Sequence, residues 1–219
     1  MSGHRYLSYY SFLFHTHTRT ISRGLAANLN VTAKPRYHGS VTQLIQQTKR
    51  CLNEFCLRVL VQTLVISRLD YCNSVLVGLP DCVLKPLSSV LHSAARLIKG
   101  VGPRDHITPI LRQLHWLPIR ARIRFKISLL MYQIFAGLAP IYISDLVTSC
   151  SAIPAKQRLR SASKGNLETK RSSKTVGSRA FSLAGPHEWN KLPDRVRQSE
   201  TISEFKSRLK THLFAEYYD

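Results

Sequence analysis

Apolar residues recur in this chain at intervals of three and four. Glycines and prolines cut the recurrence into segments, so the pattern predicts helices joined by short connections. Asn53 is a fitting N-cap. From it the spacing predicts a helix with Phe55, Val59 and Ile66 on one face, running through Asp70 and Tyr71 toward Val77, where Gly78 stops it. Asp81 is placed to cap the next segment. Pro86 predicts that this helix begins or kinks there, because proline in a helix interior forfeits a hydrogen bond. Leu87, Val90, Leu91, Ala94, Ala95 and Ile98 supply its apolar stripe, and Gly100 closes it. Thr108-Pro109 reads as an N-cap followed by proline at the first helical position, opening a short helix to Leu114. Pro118 opens the most regular element. Ile119, Ile123, Ile127, Leu130 and Ile134 form a continuous apolar face that Gly137 ends. Pro140 starts one further turn toward Val147. Between Thr148 and Ser178 no hydrophobic period survives, which predicts a basic loop, disordered when unbound. The last helix is marked by Thr201 and Glu204 at capping-box spacing, with Ile202, Phe205, Leu209, Leu213 and Phe214 on one face.

Alternating strand patterns are scarce, so the expectation is an all-α fold. It is an irregular helical bundle with a long basic loop and a disordered N-terminal leader. The expected divisions are the leader 1–40, a helical domain 41–147, the loop 148–178 and a C-terminal helical segment 179–219.

Charge changes this picture most. There are 32 Lys and Arg against 12 Asp and Glu, a formal net charge of +20. Self-repulsion of that size needs screening, and a polyanion supplies it, so RNA or DNA is the expected partner. An anionic membrane surface and an acidic protein are the other partners such a charge admits. No apolar window is long enough for a transmembrane helix, so no membrane partner is predicted. The 5 cysteines are odd in number and lack the spacing of a secreted disulfide frame, which fits a thiol-reduced setting, nucleus or cytoplasm. No acid precedes Glu54. The leader, with Arg5, Arg19 and Arg23 among Ser, Thr, His and Tyr, has either transit-peptide composition or that of a disordered start.

Candidate chemistry is sparse. Asp70-Tyr71-Cys72 places three reactive types side by side, but helical neighbours point about 100° apart and cannot converge on one atom. The reading is scaffold: Tyr71 and Cys72 pack, while Asp70 pairs with Arg58 or Arg68 or accepts a backbone donor. Cys51 and Cys56 have no matching pair at zinc spacing, the histidines are scattered, and no glycine-rich phosphate cradle occurs. Two-metal phosphoryl transfer needs clustered carboxylates, and no two acids are adjacent anywhere. No metal, cofactor or catalytic residue is therefore predicted. What remains is basic. Arg112, Arg120, Arg122, Arg124 and Lys126 form one cluster, with Arg120 and Arg124 on one flank of the isoleucine face and Arg122 and Lys126 on the other. Lys156, Arg158, Arg160, Lys164, Lys170, Arg171, Lys174 and Arg179 form a second, against the single acid Glu168. Interleaved hydroxyls suit such cations to phosphate contacts, which position without reading sequence. Trp116 and Trp189 each precede Leu and Pro at a helix boundary; each either pins a turn or offers a platform for a base.

Several blocks in order carry a resemblance: VISRLDYCNSVLVGLP, AARLI, DHITPILRQLHWLPIRARIRFKISLLMY, GLAPIYISDL, SRAFSLAGPHEWNKLP and FKSRLKTHLF. Together they resemble the region after the polymerase core in LINE-type non-LTR retrotransposon reverse transcriptases, from roughly Leu52 to Phe214. Residues 1–40 carry no part of it. The resemblance implies a helical, thumb-side region that holds template RNA and primer duplex. That family polymerises with two magnesium ions on palm aspartates in an aromatic-X-Asp-Asp motif. No Asp-Asp occurs here, and neither the endonuclease nor a terminal cysteine-histidine knuckle is present. The expectation is a truncated, non-catalytic retrotransposon-derived protein that binds RNA or DNA backbone, with a full-length retrotransposon protein as a second partner. The alternatives are a translated relic with no selected activity and a host-adapted, organellar RNA-binding protein.

Overall fold

A computed structural model describes residues 52–170, 172 and 177–219; the expected leader lies outside the described residues, as do Arg171 and Lys174. The described part is all-α. The helices are α1 (Glu54–Val61), α2 (Ser67–Asp70), α3 (Asp81–Lys99), α4 (Ile107–Gln113), α5 (Ile119–Phe135), α6 (Ile141–Ser144), α7 (Arg160–Ser163), α8 (Phe181–Lys191), α9 (Asp194–Arg197) and α10 (Ile202–Tyr218). The only extended pairing among the described residues is an isolated antiparallel bridge between Ser149 and Leu167.

Helix α5 is the hub. It packs against α8, α10, α3 and the 3-10 turn Asn73–Leu76. An apolar stripe cannot serve four neighbours, and α5 is buried on more than the isoleucine face: Ala121, Ser128, Met131 and Tyr132 are buried beside Ile119, Ile123 and Ile127. Leu130 and Ile134, expected on the core face, are only partly buried. One core layer joins Met131 and Tyr132 of α5 to Trp189 of α8 and to Phe205, Leu209 and Leu213 of α10. Tyr132 and Phe205 stack at 4.3 Å, and Phe135 and Trp189 at 4.8 Å. Gly185 lets α8 approach α5 closely: a Cβ there would sit 2.6 Å from Met131 Sδ.

Local signals hold where the chemistry is local. Asn53 Oδ1 accepts the Cys56 amide at 2.8 Å. Gly100 takes a left-handed φ of 69° and its amide closes on the Arg96 carbonyl. Thr201 Oγ1 accepts the Glu204 amide, while Glu204 Oε2 reaches back one residue further, to the Glu200 amide. Other boundaries move. Helix α3 starts at Asp81, with Pro80 in the N-cap position, because the Pro80 carbonyl already accepts the Val83 and Leu84 amides; Pro86 lies inside the helix. Helix α4 starts at Ile107 rather than Pro109.

Two expectations are corrected. The first helix does not run to Val77, and its core face is not the one through Phe55 and Val59, which are 72% and 46% exposed. The buried residues are Leu57, Val61, Val65, Ile66 and Leu69. Steps of four drift around a straight α-helix of 3.6 residues per turn. Here a π-helical turn, Gln62–Ile66, joins α1 to α2 and absorbs the drift, so one seam holds the whole series. The helix then ends at Asp70: Tyr71 is extended and Cys72 is left-handed at φ 51°.

The second correction concerns 148–170, which is not patternless. The Cys150 amide bonds the Asn166 carbonyl and the Glu168 amide bonds the Thr148 carbonyl, folding the stretch back on itself. Asn190 then clamps Leu167 with both ends of its amide, donating to the carbonyl and accepting from the N–H, each at 2.9 Å. Leu167 is thereby held in the core at 3% exposure.

Candidate nucleic-acid interface

The central helix separates two clefts, and its arginines divide between them as their helical phase dictates. Arg120 and Arg124 line the larger, about 630 Å³, together with Lys170 and Lys191. Arg122 and Lys126 line the smaller, about 370 Å³, with Lys210 of α10. The two flanks read from the sequence are real flanks.

Most of these guanidinium groups, however, are committed within the fold. Arg122, whose side chain is 12% exposed, grips both oxygens of Asp70 at 3.0 and 2.8 Å and donates from Nε to the Leu117 carbonyl. This replaces the expected pairing of Asp70 with Arg58 or Arg68; Arg58 instead pairs with Glu54 one turn earlier. Arg124 donates from Nε to Glu188 at 2.8 Å and from Nη1 to Glu216, and lies over the Tyr217 ring. Burial opposes the Arg124 charge, but hydrogen bonds to Glu216, Tyr217 and Glu188 outweigh it and keep the group protonated. Burial likewise pushes the Glu188 carboxyl up, and hydrogen bonds from Lys191 and Arg124 bring it below its ordinary value. Arg120 is more open and pairs with Asp81 at 2.7 Å, and Arg112 pairs with Asp219 at 2.8 Å. Lys126 is half-buried and has no carboxylate partner among the described residues.

In the second cluster Lys156 pairs with Glu168 at 2.9 Å. Arg158, Arg160, Lys164 and Lys170 are exposed along the clamped 150–170 stretch. Arg179 is partly buried, its stem packed where Gly78 leaves room: a Cβ on Gly78 would meet the Arg179 Cγ at 3.0 Å. Arg171 and Lys174 lie outside the described residues. Trp189 is a core residue at 4% exposure, whereas Trp116 is partly exposed on the wall of the smaller cleft.

Sequence reasoning missed where the negative charge goes. Of the 12 acids, Glu54, Asp70, Asp81, Glu168, Glu188, Asp194, Glu204, Glu216 and Asp219 each face a Lys or Arg. The partners of Arg122 and Arg124 lie 52, 64 and 92 residues away, so no spacing rule could have found them. Among the described residues no group of three His, Cys, Asp or Glu could hold a metal ion, Cys56, Cys72, Cys82 and Cys150 are free thiols, and no helix is long and apolar enough to cross a membrane.

Comparison of the chain with protein-family models, with curated proteins and with solved structures finds no match. The functional reading therefore rests on the chain's own chemistry. Most carboxylates pair with a Lys or Arg of the same chain, while Arg158, Lys164 and Lys170 lie exposed.

Proposed function

We propose that this chain is a non-catalytic nucleic-acid-binding module, related to the region after the polymerase core of LINE-type reverse transcriptases, that grips phosphate backbone through the 156–170 stretch. One observation carries the reading. Arg158, Arg160, Lys164 and Lys170 stand exposed on a segment that Asn190 ties to α8 at Leu167. A positioned cation loses less freedom on meeting a phosphate than one on a free tail. Arg122 and Arg124 drop out of the contact set, since their donors are already shared between carboxylates, a backbone carbonyl and a ring.

The test is a filter-binding series on duplex DNA and on single-stranded RNA. With about six phosphates engaged, log affinity falls against log salt with a slope of about −5 on duplex. Replacing Arg158, Arg160, Lys164 and Lys170 with serine removes about 3.6 from the magnitude of that slope. Salt-independent binding, or none at low salt, refutes the proposal.

A translated relic with no selected activity is favoured by a different observation. Phe55, Val75, Leu138, Ile141 and Tyr142 are large apolar residues more than half exposed. Exposed apolar surface of this kind fits a missing neighbour. Aggregation of the purified chain together with absence of nucleic-acid binding would support the relic over the binding module.

A further inference from the structure

The end of α5 and the segment around α6 carry an apolar face that phosphate gripping does not use. Ile143 is partly buried and Val147 packs against the core. A segment with that inner side should be polar on its outer side. Instead Ile141 is 79% exposed and Tyr142 63%, with Leu146 about half exposed beside them. Phe135 and Leu138, just before, are also half exposed or more. Gly137 makes the turn between them at a left-handed φ of 66°, and a Cβ there would meet nothing within 4 Å, so the turn stands in open space. One exposed leucine would mean nothing, but large apolar side chains standing out together mark an interaction face.

Charge selects the occupant. From Ile127 to Ala155 the sequence has no Lys or Arg, although the whole chain has 32. Nucleic acid and an anionic lipid surface both need cations at the contact, so neither fits this face. A protein surface does. The single charged residue of the stretch is the exposed Asp145, whose sign complements a basic partner. A second copy of this chain is such a partner, at a formal net charge of +20. Two copies meeting elsewhere would bring like charges together. The other exposed apolar residues, Phe55, Val59 and Tyr71, alternate with the exposed Arg58 and Arg68.

We propose that two copies of this chain associate through the α6 face, about a two-fold axis that lays Leu138, Ile141 and Tyr142 of one copy on the same residues of the other. Few side chains take part and the net charges repel, so the dimer is weak and reversible, in the micromolar range. The inference does not depend on the nucleic-acid-binding reading.

The test is sedimentation equilibrium of the full chain, freed of nucleic acid, between about 5 and about 200 µM protein. A monomer–dimer equilibrium should appear. It should tighten at least threefold, roughly, between about 0.1 M and about 0.5 M salt, because screening weakens the repulsion; nucleic-acid binding responds to salt in the opposite direction. Ile141→Glu and Leu138→Glu should each weaken the dimer by about tenfold or more, since each places a carboxylate in an apolar contact. Both sites are exposed, so the far-UV circular dichroism of each variant should match wild type. Phe55→Glu makes the same change of charge on the other exposed face and should leave the equilibrium unaltered. Asp145→Lys should weaken the dimer at the lower salt and much less at the higher. The concentration and salt responses of wild type stand even if a variant misfolds. A full chain that stays monomeric at every concentration and salt overturns the proposal and leaves the face to a different protein or to residues 1–51. Open-ended aggregation without a dimer, or a dimer that Phe55→Glu dissolves and Ile141→Glu does not, overturns it as well.

Discussion

Replacing Arg124 with methionine separates a structural arginine from a phosphate-binding one. The variant keeps most of the aliphatic stem but deprives Glu188 of its 2.8 Å donor and Glu216 of its partner. Removing one member of a buried pair costs about 3–5 kcal/mol, because the other charge is stranded. Two features reduce the figure here. Glu188 keeps Lys191 at 3.0 Å, and the Glu216 side chain is 42% exposed, so water recovers part of its solvation. The expected loss is about 2–3 kcal/mol. With a urea m-value of about 2 kcal/mol/M, the midpoint followed by far-UV circular dichroism falls by about 1–1.5 M at pH 7.

The pH dependence gives an independent check on the same variant. Burial raises the Glu188 pKa, but hydrogen bonds from Lys191 and Arg124 prevail and set it below 4.5 in the folded protein. Its stabilisation is therefore present above 4.5 and lost as pH falls through the folded value. Without Arg124, burial weighs more heavily, so the gap between wild type and variant should narrow as pH drops below 4.5. The double variant Arg124→Met/Glu188→Leu should recover part of the loss by removing the stranded charge. A single-variant midpoint within about 0.3 M of wild type, combined with a large loss of nucleic-acid affinity, would refute the internal role.

Three further outcomes follow from local geometry. Asn190→Ala leaves the N–H and carbonyl of Leu167 without partners, at about 2–4 kcal/mol, and should speed tryptic cleavage after Arg158, Arg160 and Lys164. Thr201→Ala removes the α10 cap and should cost about 1 kcal/mol, a melting temperature lower by about 2–4 °C in calorimetry. Burial, with Arg96 nearby, holds the His92 pKa below 6.5 in the folded state. Because the unfolded chain then binds the proton first, stability should decline as pH falls below 6.5, and His92→Gln should flatten that decline in urea titrations between pH 7 and 5.

What was legible in the sequence is what short-range chemistry decides. Asn53, Gly100 and the Thr201–Glu204 pair are read correctly because a cap is made within a few residues of itself. The two flanks of α5 are also legible, since helical phase alone assigns Arg120 and Arg124 to one side and Arg122 and Lys126 to the other. Illegible were the roles of those arginines, which depend on acids brought in by α2, α3, α8 and α10. Illegible too was the clamp on Leu167, because a lone buried leucine in a polar stretch leaves no period, and its partner Asn190 sits on another helix.

The π-helical turn at Gln62–Ile66 has a consequence for length. Leu57, Val61, Val65 and Leu69 follow one another at a constant spacing of four, a cadence that a straight α-helix spreads around its cylinder. Losing one solvent-facing residue from that turn, such as Thr63, would shorten the middle step to three and let ordinary α-geometry carry the same buried side chains. The element thus holds a spare residue, a place where the loss of one codon can be absorbed without reassigning inside and outside.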